Sequence, residues 1–188
     1  MERIRLASRN EHKLRELQNA LPGWDLTLLE AEYPPETGAT YYDNARRKAR
    51  FGHTIEEGTW ILGEDSGLEV DGLGGGPGIS SSRFAPDGDF VGRLLAALEG
   101  VEGSGRRRAR YVCELVAVSP EGDEFRGTGT LVGTIAPEPL GSEGFGYDPV
   151  FVPEGETRTV AELGNEWKAA HSHRARAARA LRDAVRSA

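Results

Sequence analysis

The apolar positions of this chain begin with a short run, Ile4–Ser8, which is typical of a buried strand. They then recur at helical spacing, with Leu14, Leu17 and Leu21 on one face. Pro22 and the glycine after it end this helix. The start of the chain therefore predicts a strand, a short turn and a helix.

Strand and helix patterns follow one another along the rest of the chain. Further strands are predicted at Trp24–Glu30, Thr59–Leu62, 111–119 and Glu124–Ile135. Further helices are predicted from Thr40 to about Ile55, over Phe90–Leu98, from Thr159 and from Ser172 to the end of the sequence. The length of 188 residues suits one domain, or one domain with a small second lobe.

The stretch Trp60–Gly78 joins a short apolar run to three polar residues and a glycine-rich loop. The apolar run ends at Glu64, Asp65 and Ser66, and the loop follows soon after. Two adjacent carboxylates at the end of a buried strand are costly unless a cation is near them. Glycines allow a tight turn or the close approach of a ligand. The stretch predicts a magnesium site facing a phosphorylated ligand, and an exposed acidic turn is the alternative.

The turn after the first strand has the features of an anion site. It passes from Asn10 directly into a helix, where free backbone N–H groups point outward. Lys13 lies in the first turn of that helix, where a cation opposes the helix dipole, and a nearby anion would explain it. An ordinary solvated lysine is the alternative. The sequence contains neither the GxxxxGK[ST] pattern of a P-loop nor GxGxxG.

Lysine is scarce in this chain. Of its 23 basic residues, only Lys13, Lys48 and Lys168 are lysine. Lysine among so many arginines marks places where a compact ammonium is needed. Lys48 follows Asn44 by one helical turn, so the two side chains face either the same ligand or solvent. Glu36, in the proline-containing loop before that helix, is a candidate metal ligand.

Two later regions suggest a nucleotide. Phe145 lies between two glycines and is followed by Tyr147 and Asp148, and a stacking surface beside a carboxylate suits a nucleobase. His173 and Arg174 fall in the first turn of the last helix, where cations are disfavoured unless an anion is present. With the acidic pair and the anion turn, these features are what a site for a nucleoside triphosphate with magnesium requires.

Composition limits the classes of partner. The net charge of −7 argues against general nucleic-acid binding, which needs a surplus of cations. The run Arg106–Arg110 leads directly into a strand, so we interpret it as a solvated strand entrance. Cys113 is the only cysteine, which excludes an internal disulfide and leaves a cysteine-based zinc site unsupported. With no leader pattern and no apolar run of membrane length, we expect a cytoplasmic protein without a membrane partner.

Four motifs in order make the chain resemble a known family. SRNEHK (Ser8–Lys13) is similar to the family's opening (T/S)xNxxK, and EDSGLEVDGLGGGPGISSSR (Glu64–Arg83) is similar to its central DDSGL…LGGxPGxxSAR. FGYDP (Phe145–Pro149), and Lys168 with SHR (Ser172–Arg174), match its two late motifs. The family is that of the inosine triphosphate pyrophosphatases, also called Ham1-like or non-canonical purine nucleoside triphosphate pyrophosphatases. The resemblance spans nearly the whole chain.

The resemblance implies an α/β fold, in which a long curved mixed β-sheet is flanked by helices, with two lobes and a nucleotide cleft between them. It also implies a single catalytic domain over residues 1–188, a homodimer and Mg²⁺ as cofactor. The implied activity is hydrolysis of ITP, dITP and XTP to the monophosphate and pyrophosphate, which cleanses the nucleotide pool.

The motifs further imply a role for each matching residue. The phosphates are expected at Ser8, Asn10 and Lys13, with Arg9, Glu11 and His12 completing the substrate-binding turn. The catalytic residues are expected to be Asp65 and Lys13, and the metal ligands Glu36, Asp65 and Glu64. Substrate contacts are also expected from Ser66, Phe145, Gly146, Tyr147, Asp148, Lys168, His173 and Arg174. Glu64 stands where the family usually has an aspartate, which lengthens that ligand.

The chemistry of these residues agrees with this activity in outline. Magnesium neutralises phosphate charge, Asp65 orients or deprotonates a water aimed at the α-phosphorus, and Lys13 stabilises the developing charge. Donors to the 6-keto group would reject adenine. Two alternatives stay open: a related nucleotide pyrophosphatase with a different base preference, and a nucleotide-binding regulator that does not hydrolyse its ligand.

Overall fold

The computed structural model describes residues 2–103 and 105–188. Its helices and strands follow the predicted order, apart from a short strand at Phe151–Pro153 that the sequence did not predict. The strands within this part of the chain are β1 (Glu2–Leu6), β2 (Trp24–Leu28), β3 (Trp60–Val70), β4 (Arg108–Val118), β5 (Glu124–Ile135) and β6 (Phe151–Pro153). The helices are α1 (Glu11–Ala20), α2 (Tyr41–Ile55), α3 (Phe90–Ala97), α4 (Val160–His171) and α5 (His173–Arg186).

The strands form a six-stranded sheet in the order β2-β1-β3-β4-β5-β6. β1 pairs in parallel with both β2 and β3, whereas β5 and β6 pair antiparallel. The parallel pairs are connected through α1 and α2, as parallel strands require. The α/β class and the mixed sheet with flanking helices are therefore confirmed.

β3 does not end where the sequence predicted. The apolar run stops at Glu64, but the strand continues through Asp65 and Ser66 to Val70. Both carboxylates lie inside the strand and are buried, Glu64 at 0% and Asp65 at 4% exposure. The predicted strand end was wrong, and so was the alternative of an exposed acidic turn. The strand tolerates both charges because Lys13, Lys48 and Arg174, which lie on three helices, compensate them.

By its internal contacts the chain divides into two compact units. Unit 1 comprises Met1–Asp65, Cys113–Gly129 and His173–Ala188, and unit 2 comprises Ser66–Val112 and Thr130–Ser172. Two units agree with the two predicted lobes, while the nucleotide cleft and the single catalytic domain stay predictions. Within residues 2–103 and 105–188, no helix has the length and apolar character needed to cross a membrane.

Glycines let helices of unit 1 pack closely against its strands. A Cβ atom at Gly63 in β3 would collide with the backbone of Ala45 and Ala49 in α2. Cβ atoms at Gly127 and Gly129 in β5 would collide with the backbone of α5. Because Gly63 directly precedes the acidic pair, the close contact at this glycine brings the side chains of α2 within reach of β3.

Candidate active site

Asp65 is held by two side chains of α2. The Asn44 amide donates from Nδ2 to Oδ2 of Asp65 at 3.0 Å, and the Lys48 ammonium lies 3.4 Å from Oδ1. Lys48 also pairs with Oε1 of Glu36 at 2.7 Å, so one ammonium bridges two carboxylates. Burial raises the pKa of Asp65, and the bonds from Lys48 and Asn44 offset this only in part. We call Glu36, Asn44, Lys48 and Asp65 the carboxylate cluster.

Lys48 stays charged in this cluster. Burial alone would lower its pKa, but the charges of Asp65, Glu64 and Glu36 raise the pKa of Lys48 overall. Asn44 is 1% and Lys48 9% exposed, so the alternative in which this pair faces solvent is wrong. Both side chains bind the same carboxylate.

Glu64 is neutralised by other elements. Its Oε2 lies 2.6 Å from Nζ of Lys13 in α1, and its Oε1 lies 3.1 Å from Nε of Arg174 in α5. Arg174 pairs in addition with Glu16 of α1 at 2.9 Å. Although burial opposes ionisation, Lys13 and Arg174 hold the pKa of Glu64 well below its ordinary value. We call Lys13, Glu16, Glu64 and Arg174 the ion network.

The alternation of side chains along a strand explains why the two neighbours differ. Successive residues of β3 point to opposite faces of the sheet. Leu62 and Glu64 share the face that packs on the core of α1 and α5, whereas Ile61 and Asp65 share the face toward α2. The predicted acidic pair is therefore two separate sites, back to back on one strand.

The predicted anion turn is closed by its own side chains. Asn10 caps α1, because its Oδ1 accepts the backbone N–H groups of His12 at 2.9 Å and Lys13 at 3.2 Å. Ser8 Oγ accepts the backbone N–H of Asn10 at 3.1 Å. The anion expected near Lys13 is a carboxylate of the protein itself, Glu64.

The other residues of this turn lie on the surface of unit 1. The Arg9 guanidinium donates twice to the carbonyl of Ala31, at 2.8 and 3.1 Å. Glu11 and His12 both contact Arg15 further along α1, at 3.6 Å and 3.1 Å. Substrate binding by Arg9, Glu11 and His12 stays a prediction.

Unit 2 contains a second buried ion pair, between Asp148 and Lys168. Oδ2 of Asp148 lies 2.5 Å from Nζ of Lys168 and accepts the backbone N–H of Phe145 at 2.8 Å. The Tyr111 hydroxyl donates to Oδ1 of Asp148 at 3.3 Å. The Lys168 ammonium also lies 4.3 Å from the centre of the Phe145 ring, within the range of a cation–π contact. We call Phe145, Asp148 and Lys168 the aromatic cluster.

Tyr147 and Gly146 shape this segment. Tyr147 is 5% exposed, its hydroxyl donates to the Ser81 carbonyl at 3.1 Å, and its ring packs edge-on against Phe90. Gly146 has φ of +63°, in the left-handed region that favours glycine. The glycine turns the chain so that Phe145 stays half-buried while Tyr147 enters the core. Base binding by these two residues stays a prediction.

The remaining predicted substrate contacts are Ser66 and His173. Ser66 follows Asp65 in β3 and is half-buried. His173 is the first residue of α5 and is 3% exposed, which confirms its predicted place in the first helical turn. Their contacts with substrate stay predictions.

Sequence reasoning left Asn44 and Lys48 out of the site, although both bind Asp65. The scarcity of lysine was the signal that points to one of them. Each of the three lysines pairs with a buried carboxylate: Lys13 with Glu64, Lys48 with Asp65 and Lys168 with Asp148. Asn44 has no comparable signal in composition, since it is recognised only by its helical spacing to Lys48.

A model of the Ham1 family matches residues 4–184 of this chain. The dITP/XTP pyrophosphatase of Bdellovibrio bacteriovorus is 46% identical over 151 residues, which cover 78% of this chain and 75% of that protein. The dITP/XTP pyrophosphatase of Deinococcus deserti is 43% identical over 182 residues, which cover 95% of this chain and 87% of that protein.

Solved structures agree with the sequence relatives. A HAM1 protein from Coxiella burnetii has a TM-score of 0.85 and 34% identity, with 100% of both chains covered. A nucleoside-triphosphatase / dITP/XTP pyrophosphatase from Mycobacterium abscessus has a TM-score of 0.73 and 44% identity, covering 95% of this chain and 97% of its own.

Proposed function

The chain belongs to the Ham1 family, and we propose that it hydrolyses the non-canonical purine nucleoside triphosphates ITP, dITP and XTP to the monophosphate and pyrophosphate. The relatives named dITP/XTP pyrophosphatase match most of its length. The observation that carries the proposal is the carboxylate cluster, where buried Asp65 with a raised pKa lies beside an ammonium and a second carboxylate. Hydrolysis of a phosphoanhydride needs this combination of a base with cationic charge.

Mg²⁺ is the cofactor we propose. This ion is usually held by one or two carboxylates together with substrate phosphates. Glu36 and Asp65 fit that requirement, because they already share one cation, the ammonium of Lys48. Bound there, Mg²⁺ would supply charge neutralisation at phosphate oxygens. Glu64 suits this role less well, because its oxygens face Lys13 and Arg174. In the described part of the chain no three acidic, histidine or cysteine side chains converge on a common metal position.

We assign the role of general base to Asp65. Its raised pKa makes it a stronger base than an exposed aspartate. Asn44 and Lys48 bind one oxygen each and so fix the plane of the carboxylate. A water attacks the α-phosphorus, Asp65 takes its proton, and the bond from that phosphorus to the bridging oxygen breaks as pyrophosphate leaves.

The triphosphate is assigned to the cations of unit 1. An ammonium has three N–H donors, so pairing with Glu64 leaves Lys13 able to donate to phosphate oxygens as well. Glu64 would hold Lys13 in place for this contact. Ser8 keeps the adjoining turn closed by accepting the backbone N–H of Asn10.

The base is assigned to the aromatic cluster. A half-buried aromatic ring such as Phe145 offers a stacking surface that every base can use. Selection would then rest on the 6-keto oxygen, which accepts a hydrogen bond where the 6-amino group of adenine cannot. Lys168, held by Asp148 at 2.5 Å, is the donor we propose.

A homodimer and a cytoplasmic location complete the proposal. Cys113 is a buried free thiol, as is usual for proteins of reducing compartments. Sedimentation analysis at micromolar concentration should give twice the mass of one chain, and a single-chain mass would contradict the dimer.

The decisive experiment measures pyrophosphate release with Mg²⁺ from ITP, XTP, GTP, ATP and dTTP. We expect ITP and XTP to exceed ATP in kcat/KM by about 100-fold or more, as for a site that reads one polar group. Comparable rates on all five substrates would contradict the proposed selectivity, and a clear preference for GTP, ATP or dTTP would favour a related pyrophosphatase with a different base preference. Binding without any release would favour the regulator.

A further inference from the structure

Asn44 makes two hydrogen bonds from one buried amide. Nδ2 donates to Oδ2 of Asp65 at 3.0 Å, and Oδ1 accepts the backbone N–H of Gly38 at 2.8 Å. The side chain is 1% exposed, so neither bond is easily replaced by water and each is costly to lose. One amide therefore joins β3 to the loop that carries Glu36.

The loop is shaped to receive this amide. A Cβ atom at Gly38 would collide with Oδ1 of Asn44 and would come within 2.8 Å of Cβ of Asp43. Gly38 is two residues after Glu36, so its bond to Asn44 fixes the backbone beside the second carboxylate. Thr40 caps α2 by accepting the Asp43 N–H at 3.1 Å, which fixes the start of the helix just before Asn44.

Lys48 cannot replace Asn44 in this role. Its ammonium lies between Oδ1 of Asp65 and Oε1 of Glu36, and a divalent cation drawn to the same carboxylates would repel it. Asn44 is neutral and bonds the other oxygen of Asp65, Oδ2. The bond from Asn44 therefore does not repel a cation that binds Asp65, and Oδ1 of Asp65 remains available to that cation.

The geometry points to Asn44 as a positioning residue that holds Asp65 and the Glu36 loop in register, whichever cation the two carboxylates share. It acts through Asp65 and Glu36. Measuring this role through kcat rests on the proposed hydrolysis. Measuring it through Mg²⁺ binding to the protein without nucleotide does not.

The test separates the two bonds of the amide. Asn44→Ala removes both, and we expect kcat on ITP to fall about 10- to 100-fold and Mg²⁺ affinity, measured by calorimetry without nucleotide, to weaken about tenfold, as for other groups that orient metal ligands. KM for ITP should change less than kcat. Asn44→Asp keeps the acceptor for Gly38, loses the donor to Asp65 and adds a negative charge beside Asp65. We therefore expect kcat to fall, while the added charge keeps Mg²⁺ affinity from weakening.

Gln18→Ala is the matched control in unit 1. It removes a side-chain bond from Nε2 to the Leu26 carbonyl at 2.9 Å, far in sequence from the cluster, so it should lower the melting temperature without changing kcat or Mg²⁺ affinity. If Asn44→Ala does not fold, Gly38→Ala displaces the same amide from the loop side and should weaken Mg²⁺ binding.

Asn44 variants that match Gln18→Ala in kcat and in Mg²⁺ affinity would overturn the inference. If the wild-type protein hydrolyses none of the five nucleotides, the proposed function is refuted. The inference about Asn44 is then decided by the Mg²⁺ affinities alone.

Discussion

The two faces of β3 carry neighbouring carboxylates in opposite electrostatic states. On one face Glu64 is closed in by Lys13 and Arg174, and its pKa is held well below the ordinary value. On the other face Asp65 is bound by a neutral amide and by an ammonium shared with Glu36, and burial raises its pKa. Neighbouring carboxyl groups whose environments push their pKa values apart have different roles.

The difference follows from how many charges each face supplies. Glu64 has two cations close to it, which compensate its negative charge. These ion pairs join β3 to α1 and α5. Asp65 receives only part of one cation, because Lys48 lies closer to Glu36, at 2.7 Å against 3.4 Å. We therefore expect Glu64 to matter for stability and Asp65 for turnover, and the following variants test that division.

Asp65→Asn should have the largest effect. Removing a general base costs about 10²- to 10⁴-fold in rate, so we expect turnover of ITP to fall by about 10³-fold while nucleotide binding is largely retained. Stability at pH 7 should not fall, because a raised folded-state pKa means that the ionised carboxylate is a cost to folding there. Steady-state kinetics measures the fall in turnover, and thermal melting measures the stability. Full activity in this variant would remove Asp65 from its assigned role.

Glu64→Gln should act mainly on stability. It leaves Lys13 and Arg174 buried without their shared counter-charge, and breaking a buried ion pair from one side costs about 3–5 kcal/mol. Urea unfolding would measure the loss. Glu124→Gln is the control, because Glu124 pairs with Arg46 and Arg50 at the surface and such pairs contribute about 1 kcal/mol or less. Equal losses in the two variants would contradict the assignment of Glu64.

The contribution of Glu64 should also depend on pH. A depressed folded-state pKa gives stability that is present above the unfolded value, about 4.3 for glutamate, and is lost as pH falls through the folded value. The gap in unfolding free energy between wild type and Glu64→Gln should therefore narrow as pH falls below about 4.3. Urea unfolding at pH 7 and pH 3, with chelator present, measures it. A gap that stays constant would show that Glu64 does not stabilise through its charge.

The sequence predicted most of this region but not its division into two sites. The strands, the capped helices and the importance of the three lysines are local or compositional, and they follow from patterns near each residue. The cations that allow β3 to continue through Glu64 come from α1 and α5, and Arg174 is 110 positions away. No local pattern shows that compensation. Once β3 is known to continue, the alternation of a strand places Glu64 and Asp65 on opposite faces.

Lys48→Met should change cation binding on the Asp65 face alone. Removing the ammonium leaves Glu36 and Asp65 without their shared cation. Mg²⁺ affinity in the absence of nucleotide should therefore rise by about tenfold, or about 1.4 kcal/mol, because a charge that repels Mg²⁺ is gone. Lys13→Met is the matched change on the other face and should leave this affinity unchanged. Calorimetric titration with MgCl₂ distinguishes the two. A rise in both variants would indicate a general charge effect rather than a site at Glu36 and Asp65.

Glu16→Gln should have the smallest effect, and it tests how deep the ion network extends. Glu16 pairs with Arg174 at 2.9 Å but its side chain is 18% exposed, so water can replace part of its bond. Arg174 keeps its contact with Glu64, and we expect a loss of about 1 kcal/mol in unfolding free energy with turnover unchanged. The same urea measurements apply. A loss as large as that of Glu64→Gln would mean that Arg174, rather than Glu64, is the residue on which the stability of this face depends.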